Sequence, residues 1–398
     1  MEQLKVAVIG LGRRGHTWCR ISTQNEYTRL VAICDTYTDY LDKTHSMLKE
    51  MELEDTIEYS VDDYHKLLDK NKIDIAIIVV SWEKHVDIAV DFMNAGIITA
   101  LEVGGAYTIE DSYRLIRAYE STKTPFFFME NCCFGKRELM ILNMVNQGVF
   151  GEIVHCCGAY SHDLRKQIAE GGKNHHYRQR NYRMRNCDNY PTHDLGPISR
   201  ILKINHGNRL VSLVSCASKA AGMAQYIKDY MPEETNRDYK QGDIVNTIIT
   251  CAGGETILLT LDTTLPRAYS RGFTVRGTKG MYFEDNDSIY LNEDHYPKYD
   301  WQWRPLWGNA EQYEEKYLDE LWRQDIDTNK EHGGIDELMF SEFIRCVREN
   351  LPMPIDVYDA ATWMAVSVLS EISIAKGGMP VEIPDFTNGK WLLKSEER

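Results

Sequence analysis

The chain is expected to fold as an α/β protein. An N-terminal doubly wound parallel sheet (residues 1–130) is followed by an α+β domain (residues 131–398) on a largely antiparallel open sheet. Three observations predict this. Short apolar runs alternate with helical stretches up to about residue 130, as strands covered on both faces do. Beyond about residue 150, strand-like runs succeed one another with few long helices between them. Between the first strand and the first helix stand Gly10, Gly12 and Gly15, in the pattern G-x-G-x-x-G.

The first strand covers residues 4–10 and ends at Gly10, with a helix from about Arg14. RLVAICD (29–35), IDIAIIVV (73–80), GIITALEV (96–103) and PFFFME (125–130) are the next strands, rich in β-branched or aromatic residues. Between them SVDDYHKLLDK (60–70) and EKHVDIAVDFMNAG (83–96) are expected to be helical, the latter closed by glycine. In the second domain the strands are EIVHCCGAYSH, RLVSLVSCAS, DIVNTIITC, ETILLTLDTT, GFTVRGTKG and GMYFEDN, with CAGGET as a hairpin turn. Residues 293–333 are aromatic and acidic and show no period. Helices are expected over 335–349 and 356–376, the second with Asp356 as N-cap and Gly377 past its end. These C-terminal helices are candidates for packing back on the N-terminal domain.

Bulk properties narrow the function. A chain of 398 residues with 43% hydrophobic and 26% charged residues has room for two cores. A formal net charge of −15 argues against a nucleic-acid or anionic-membrane partner, and no apolar run is long enough to span a bilayer. The ten cysteines contain no C-x-x-C and are expected to be buried, reduced thiols. With a strand opening at residue 4, this predicts a cytoplasmic protein.

The glycine motif has a chemical reading. Gly10 permits the tight turn, Gly12 lets the backbone approach a pyrophosphate, and Gly15 lets helix and strand pack closely, so Leu11, Arg13 and Arg14 border the same loop. Asp35 ends the next strand, twenty residues beyond Gly15, where its carboxylate can accept hydrogen bonds from a ribose 2′-hydroxyl and repel a 2′-phosphate. The cofactor is therefore expected to be NAD. Arg13 and Arg14 keep NADP open.

The N-terminal fingerprint, the SWEKH after the strand ending at Val80 and the two-domain layout resemble the glucose–fructose oxidoreductase/inositol dehydrogenase (Gfo/Idh/MocA) superfamily. That resemblance implies a Rossmann domain and a substrate site on the second sheet. It also places Trp82 and His85 near the nicotinamide, with Glu102 on the same strand-end edge. Many members carry Glu-Lys-Pro where this chain reads Glu102-Val103-Gly104, which counts against an ordinary lysine-assisted dehydrogenase. MENCCFG (129–135), AYSHDLR (159–165), YPTHDLGP (190–197) and HGGIDELM (332–339) are similar to glycoside hydrolase family 109, NAD-dependent glycosidases first known as α-N-acetylgalactosaminidases. The likeness runs from Gly10 to about Met339, with Asp194 standing where that family usually has glycine.

The resemblance implies a redox route: oxidation at sugar C3, loss of the C2 proton with departure of the C1 group, water addition and reduction. Its motifs make Tyr160, Tyr190 and His193 the proton-transfer candidates, with His162 close by and Glu130 able to orient His193. Tyr160 and His162, two apart in a strand, share a face. Tyr269 and His332 are expected to contact the sugar, with Tyr160 and Tyr190. The basic segment 164–186, which holds Arg178, is open between a loop gripping the sugar, a solvated loop and an arm packing on another subunit of a homo-oligomer. His162, His175 and His176 lack ligand spacing, so no metal is expected. The partner is a small-molecule glycoside. The alternative is an NAD-dependent sugar or cyclitol dehydrogenase of the same superfamily, and a non-catalytic sugar or NAD sensor is a third reading.

Overall fold

The structure, a computed structural model, describes residues 3–299, 301–324 and 326–393. The chain folds as two compact units, Met1–Glu130 with Asn329–Ala361, and Asn131–Thr328 with Thr362–Arg398. Residues 329–361 thus fold with the N-terminal unit.

The first unit is built on a six-stranded sheet of β1 (Leu4–Ile9), β2 (Thr28–Cys34), β3 (Tyr59–Val61), β4 (Ile75–Ile78), β5 (Ile98–Glu102) and β6 (Phe126–Met129). Its order is β3-β2-β1-β4-β5-β6 with every pairing parallel. The order reverses at β1, which places a ligand crevice at the C-terminal ends of β1 and β4. Helices α1 (Arg13–Gln24), α2 (Thr38–Glu50), α3 (Trp82–Asn94) and α4 (Ile109–Thr122) alternate with the strands. The start of α4 is secured by a capping box between Thr108 and Asp111. Val6, Ala7, Val8 and Ile75 to Ile78 are fully buried, as central strands of a parallel sheet require. Helix Ile335–Glu349 adds Phe340 against Trp18 and Phe343 stacked on Phe127 at 4.9 Å.

One element differs from expectation. Residues 60–70 form the end of β3 and a short 3₁₀ turn, Tyr64–Leu67, instead of a helix. The Asp63 side chain accepts the His65 N–H at 3.0 Å, and this local bond competes with helical pairing.

The second unit carries an eight-stranded sheet of β7 (Ile153–Ser161), β8 (Leu210–Ala217), β9 (Ile244–Cys251), β10 (Thr256–Asp262), β11 (Thr274–Gly277), β12 (Gly280–Phe283), β13 (Ser288–Leu291) and β14 (Val381–Glu382). The order is β13-β12-β11-β7-β10-β9-β8-β14, and only β7–β10 is parallel. The β9–β10 hairpin turns at Ala252 to Glu255 with Gly254 at φ +97°. The helices are α5 (Lys136–Asn146), α6 (Arg165–Ala169), α7 (Arg178–Met184), α8 (Thr192–Ile201), α9 (Gly222–Tyr230) and, from Thr362 on, the long Val357–Ala375. Asp356 caps the last of these by accepting the N–H groups of Tyr358 and Asp359.

The basic segment 164–186 is largely helical, through α6 and α7. Most of YPTHDLGP is helical, for α8 begins at Thr192. Pro197 inside α8 has no N–H for the His193 carbonyl, so the helix is interrupted beside the histidine.

Candidate active site

In the first unit the glycine loop is shaped by close approach. A Cβ on Gly10, whose φ is +95°, would lie 2.5 Å from the Val79 carbonyl oxygen, and one on Gly15 would lie 2.0 Å from the Gly10 oxygen. Among the described residues, nothing lies within 4 Å of a Cβ built on Gly12, just before α1, which leaves room for a pyrophosphate to approach the helix N-terminus. Asp35 accepts the Leu11 N–H at 2.7 Å and the Tyr37 N–H at 2.9 Å, which fixes its carboxylate beside the loop.

His85 and Trp82 lie at the start of α3, next to the end of β4. His85 is 1% exposed. Its Nε2 donates to the Val80 carbonyl at 3.0 Å, and burial pulls the imidazole down to about 4, so it is neutral. Nδ1 is then a buried acceptor with no protein partner. A Cβ on Gly104 would meet Trp82 Cδ1 at 2.6 Å and His85 Nδ1 at 3.0 Å, which explains glycine at this point of the Glu102-Val103-Gly104 segment.

A charge cluster adjoins the loop. Arg14 binds Glu102 through Nε at 2.9 Å and Asp336 through Nη1 at 2.6 Å, and its guanidinium lies 5.0 Å from the Trp18 ring. Glu102 also accepts from the Trp18 indole at 2.9 Å and from the Val103 N–H at 3.0 Å, so its oxygens serve the protein. Burial opposes charge on Asp336, but His332 at 2.8 Å and the Arg14 guanidinium hold its carboxyl well below the usual range. His332 sits at φ +53°, followed by Gly333 and Gly334 at +67° and +84°. Arg13 is exposed and pairs with Glu331 at 2.5 Å.

The second unit gathers an aromatic cluster. On β7, Cys156, Gly158 and Tyr160 share one buried face, which α8 covers. The packing is tight at Gly158, where a Cβ would sit 2.5 Å from Asp194 Cβ. It brings the Tyr160 ring to 4.5 Å from Tyr190 and 5.4 Å from His193, with Tyr190 and His193 edge-on at 4.7 Å. The Tyr160 hydroxyl lies 3.3 Å from His162 Nδ1, and His162 meets Tyr269 edge-on at 5.2 Å. Arg178, on α7, lies 5.1 Å from the Tyr190 ring and donates to Gln167 at 2.8 Å. Burial works against its charge, but the oxygens of Tyr160, Tyr177, Tyr190 and Tyr182 hold it on.

Five of the residues singled out in the sequence therefore meet here, namely Tyr160, His162, Tyr190, His193 and Tyr269, with Arg178 alongside. His332 belongs to the first unit, where its Nδ1 lies beside Arg14 and Asp336. Glu130 is completely buried and ends the first segment of that unit.

Residues 4–129 match the NAD-binding Rossmann fold of the GFO_IDH_MocA oxidoreductase family, and residues 134–393 match the C-terminal domain of glycosyl hydrolase 109. The chain belongs to glycosyl hydrolase family 109. Over 98% of its length it is 35% identical to a glycosyl hydrolase family 109 protein of Stenotrophomonas maltophilia, covering 90% of that protein. It is 34% identical to an alpha-N-acetylgalactosaminidase of Tannerella forsythia, again over 98% of this chain and covering 87% of the relative. Among solved structures, scyllo-inositol dehydrogenase from Lactobacillus casei with bound NAD(H) and scyllo-inositol superposes with a TM-score of 0.65 at 14% identity, covering 96% of this chain and 99% of that one. This last likeness shows the fold alone. The chain is thus a family 109 glycosidase with an NAD-binding domain, and the open glycine loop, Asp35 and the lone acceptor on His85 are the features that fit NAD. Among the described residues, no helix is long and apolar enough to cross a membrane.

Two features were missed in the sequence. Asp188, two residues before Tyr190, is buried and accepts from the Thr247 hydroxyl at 3.4 Å and from the Tyr190 N–H. Burial pushes its carboxyl up to about 7. Arg271, two residues beyond Tyr269, is mostly buried and ion-paired to Glu138. The period of two that united Tyr160 with His162 would have found Arg271; nothing in the sequence marks Asp188 as buried.

Proposed function

We propose that this glycosidase cleaves N-acetylgalactosaminides or related glycosides by transient oxidation at C3, elimination, water addition and reduction. When bound, NAD supplies the reversible hydride acceptance at C3 that makes the neighbouring C2 proton removable. Gly10, Gly12, Gly15 and Asp35 would hold its pyrophosphate and ribose, and the Nδ1 of His85 offers an acceptor to its carboxamide.

The observation that carries the reading is the Tyr160–Tyr190–His193 cluster, whose rings lie 4.5 to 5.4 Å apart. Three proton-bearing groups so close suit two transfers, removal of the C2 proton and protonation of the departing oxygen at C1. Arg178 sets a fixed positive charge 5.1 Å from the Tyr190 ring, beside the groups that would move the protons. The aromatic walls also limit water around the sugar. The groups that gather here are phenols and an imidazole, whereas most glycosidases flank the bond with two carboxylates. A net dehydrogenase reading loses support from position 103, which is a buried valine where that chemistry uses lysine.

A panel of nitrophenyl glycosides run in D₂O tests this. Cleavage with deuterium at C2 of the released sugar and no net NADH is expected. Tyr190→Phe and His193→Ala should each lower kcat by roughly 10²–10⁴-fold with NAD affinity kept. Cleavage without C2 label, or stoichiometric NADH without cleavage, contradicts the proposal.

A further inference from the structure

The catalytic face holds a cation that the proton-transfer set leaves unexplained. Ser270 bridges antiparallel to Ser161, and the Arg271 carbonyl accepts the Ala159 N–H at 2.5 Å. Directly paired residues share a sheet face and their neighbours take the other. Tyr269 and Arg271 therefore lie on the face of Tyr160, the one α8 covers.

The Arg271 side chain is only 16% exposed, and its Nη2 pairs with Glu138. Nε lies 3.6 Å from Glu284 Oε1, beyond hydrogen-bond reach, and neither Nε nor Nη1 has a hydrogen-bond partner. The carboxylates around it are held in place. Glu138 occupies the space above Gly135, where a Cβ would lie 2.0 Å from its Oε2, and Glu284 accepts the Phe273 N–H at 2.8 Å. A guanidinium anchored through Nη2 on the edge it shares with Nε, with the buried Nη1 unpaired, leaves donors for an acceptor from outside the chain.

We propose that Arg271 is a substrate-binding residue whose Nη1 donates to the carbonyl oxygen of an acetamide at C2 of the sugar. The inference rests on the amino-sugar reading above and names the group that would set its specificity. Glu138 and Glu284 already neutralise the Arg271 charge, which leaves it no surplus for a carboxylate, sulfate or phosphate substituent. Arginine only donates, so its partner must be an acceptor, and an amide carbonyl offers two lone pairs without needing a donor of its own.

The test compares the 4-nitrophenyl α-glycosides of N-acetylgalactosamine and galactose with wild-type, Arg271→Lys and Arg271→Gln protein, with NAD affinity and melting followed alongside. The expected result is a loss of roughly 10–100-fold in kcat/KM on the acetamido substrate, little change on the galactoside, and unchanged NAD affinity. Equal loss on both substrates, or no loss on either, overturns the inference. Should Arg271→Gln not fold, Arg271→Lys decides, because it keeps a charge for Glu138 and Glu284 but cannot reproduce the planar fork. Calorimetry of free N-acetylgalactosamine and galactose separates this inference from the reaction itself. If wild-type protein cleaves neither glycoside yet prefers the acetamido sugar, and that preference vanishes in Arg271→Lys, the proposed reaction fails and the role of Arg271 stands. Equal binding of the two sugars by wild type overturns that role.

Discussion

Replacing Gly158 with alanine measures how closely β7 and α8 must meet for the site to work. The added Cβ would lie 2.5 Å from Asp194 Cβ, 3.0 Å from Ile198 Cδ1 and 3.3 Å from Asp194 Cα. Carbon atoms rest about 3.5–4.0 Å apart, so the strand and the helix must separate by roughly 1 Å. Ile198 Cδ1 ends a flexible side chain and can turn aside, whereas the Asp194 Cα and Cβ are fixed to the helix. Overpacking of this kind costs about 1–3 kcal/mol. The displacement falls on the first turn of α8, beside His193, and a misplacement of about 1 Å lowers turnover by on the order of 10²-fold. Gly158→Ala should therefore fold with a lowered Tm, lose about 100-fold in kcat on the best nitrophenyl glycoside, and bind NAD normally. Adding Asp194→Gly removes the nearest obstructing atom and should restore part of both losses, a favourable coupling in the double-mutant cycle. Wild-type Tm and kcat in Gly158→Ala, or a double variant no better than the single one, would refute the packing argument.

Three further outcomes are expected. Asp35→Ala should weaken NAD binding by about 1.5–3 kcal/mol, since a charged acceptor is lost, and calorimetry with NAD and NADP reads it. Asp188 has its folded-state carboxyl raised, so the folded form binds the extra proton and stability from this group falls as pH rises from about 4 to 7. That slope, at most about 1.4 kcal/mol per pH unit, should flatten in Asp188→Asn when denaturation midpoints are followed across the range. Asp336 is the opposite case, with its carboxyl held down, so its contribution is present above the unfolded value near 4 and lost as pH falls below it. Asp336→Asn should be less stable than wild type at pH 7, with the difference narrowing in acid.

The fold was legible in the sequence because its signals are local. Unbroken apolar runs such as IAII, and three glycines between a strand and a helix, owe their meaning to backbone sterics and burial on both faces. Asp35 followed from its spacing to the glycines, and Tyr160 with His162 from the two-residue period of a strand. SVDDYHKLLDK misled because its helical apolar spacing is outweighed by the Asp63 side chain bonding its own backbone.

What only the tertiary structure decided are the groups whose roles depend on neighbours far along the chain. His332 stands beside Arg14 because Asn329–Ala361 folds with the first unit, although it lies some two hundred residues beyond that unit's last strand. YPTHDLGP becomes largely a helix despite Pro197, since covering the β7 face outweighs one missing hydrogen bond. Asp188 and Arg271 are ordinary charged residues in the sequence. Burial raises the one, and Glu138 and Glu284 hold the other with N–H groups to spare. Proximity, desolvation and charge pairing are properties of the folded chain, and no local pattern of residues contains them.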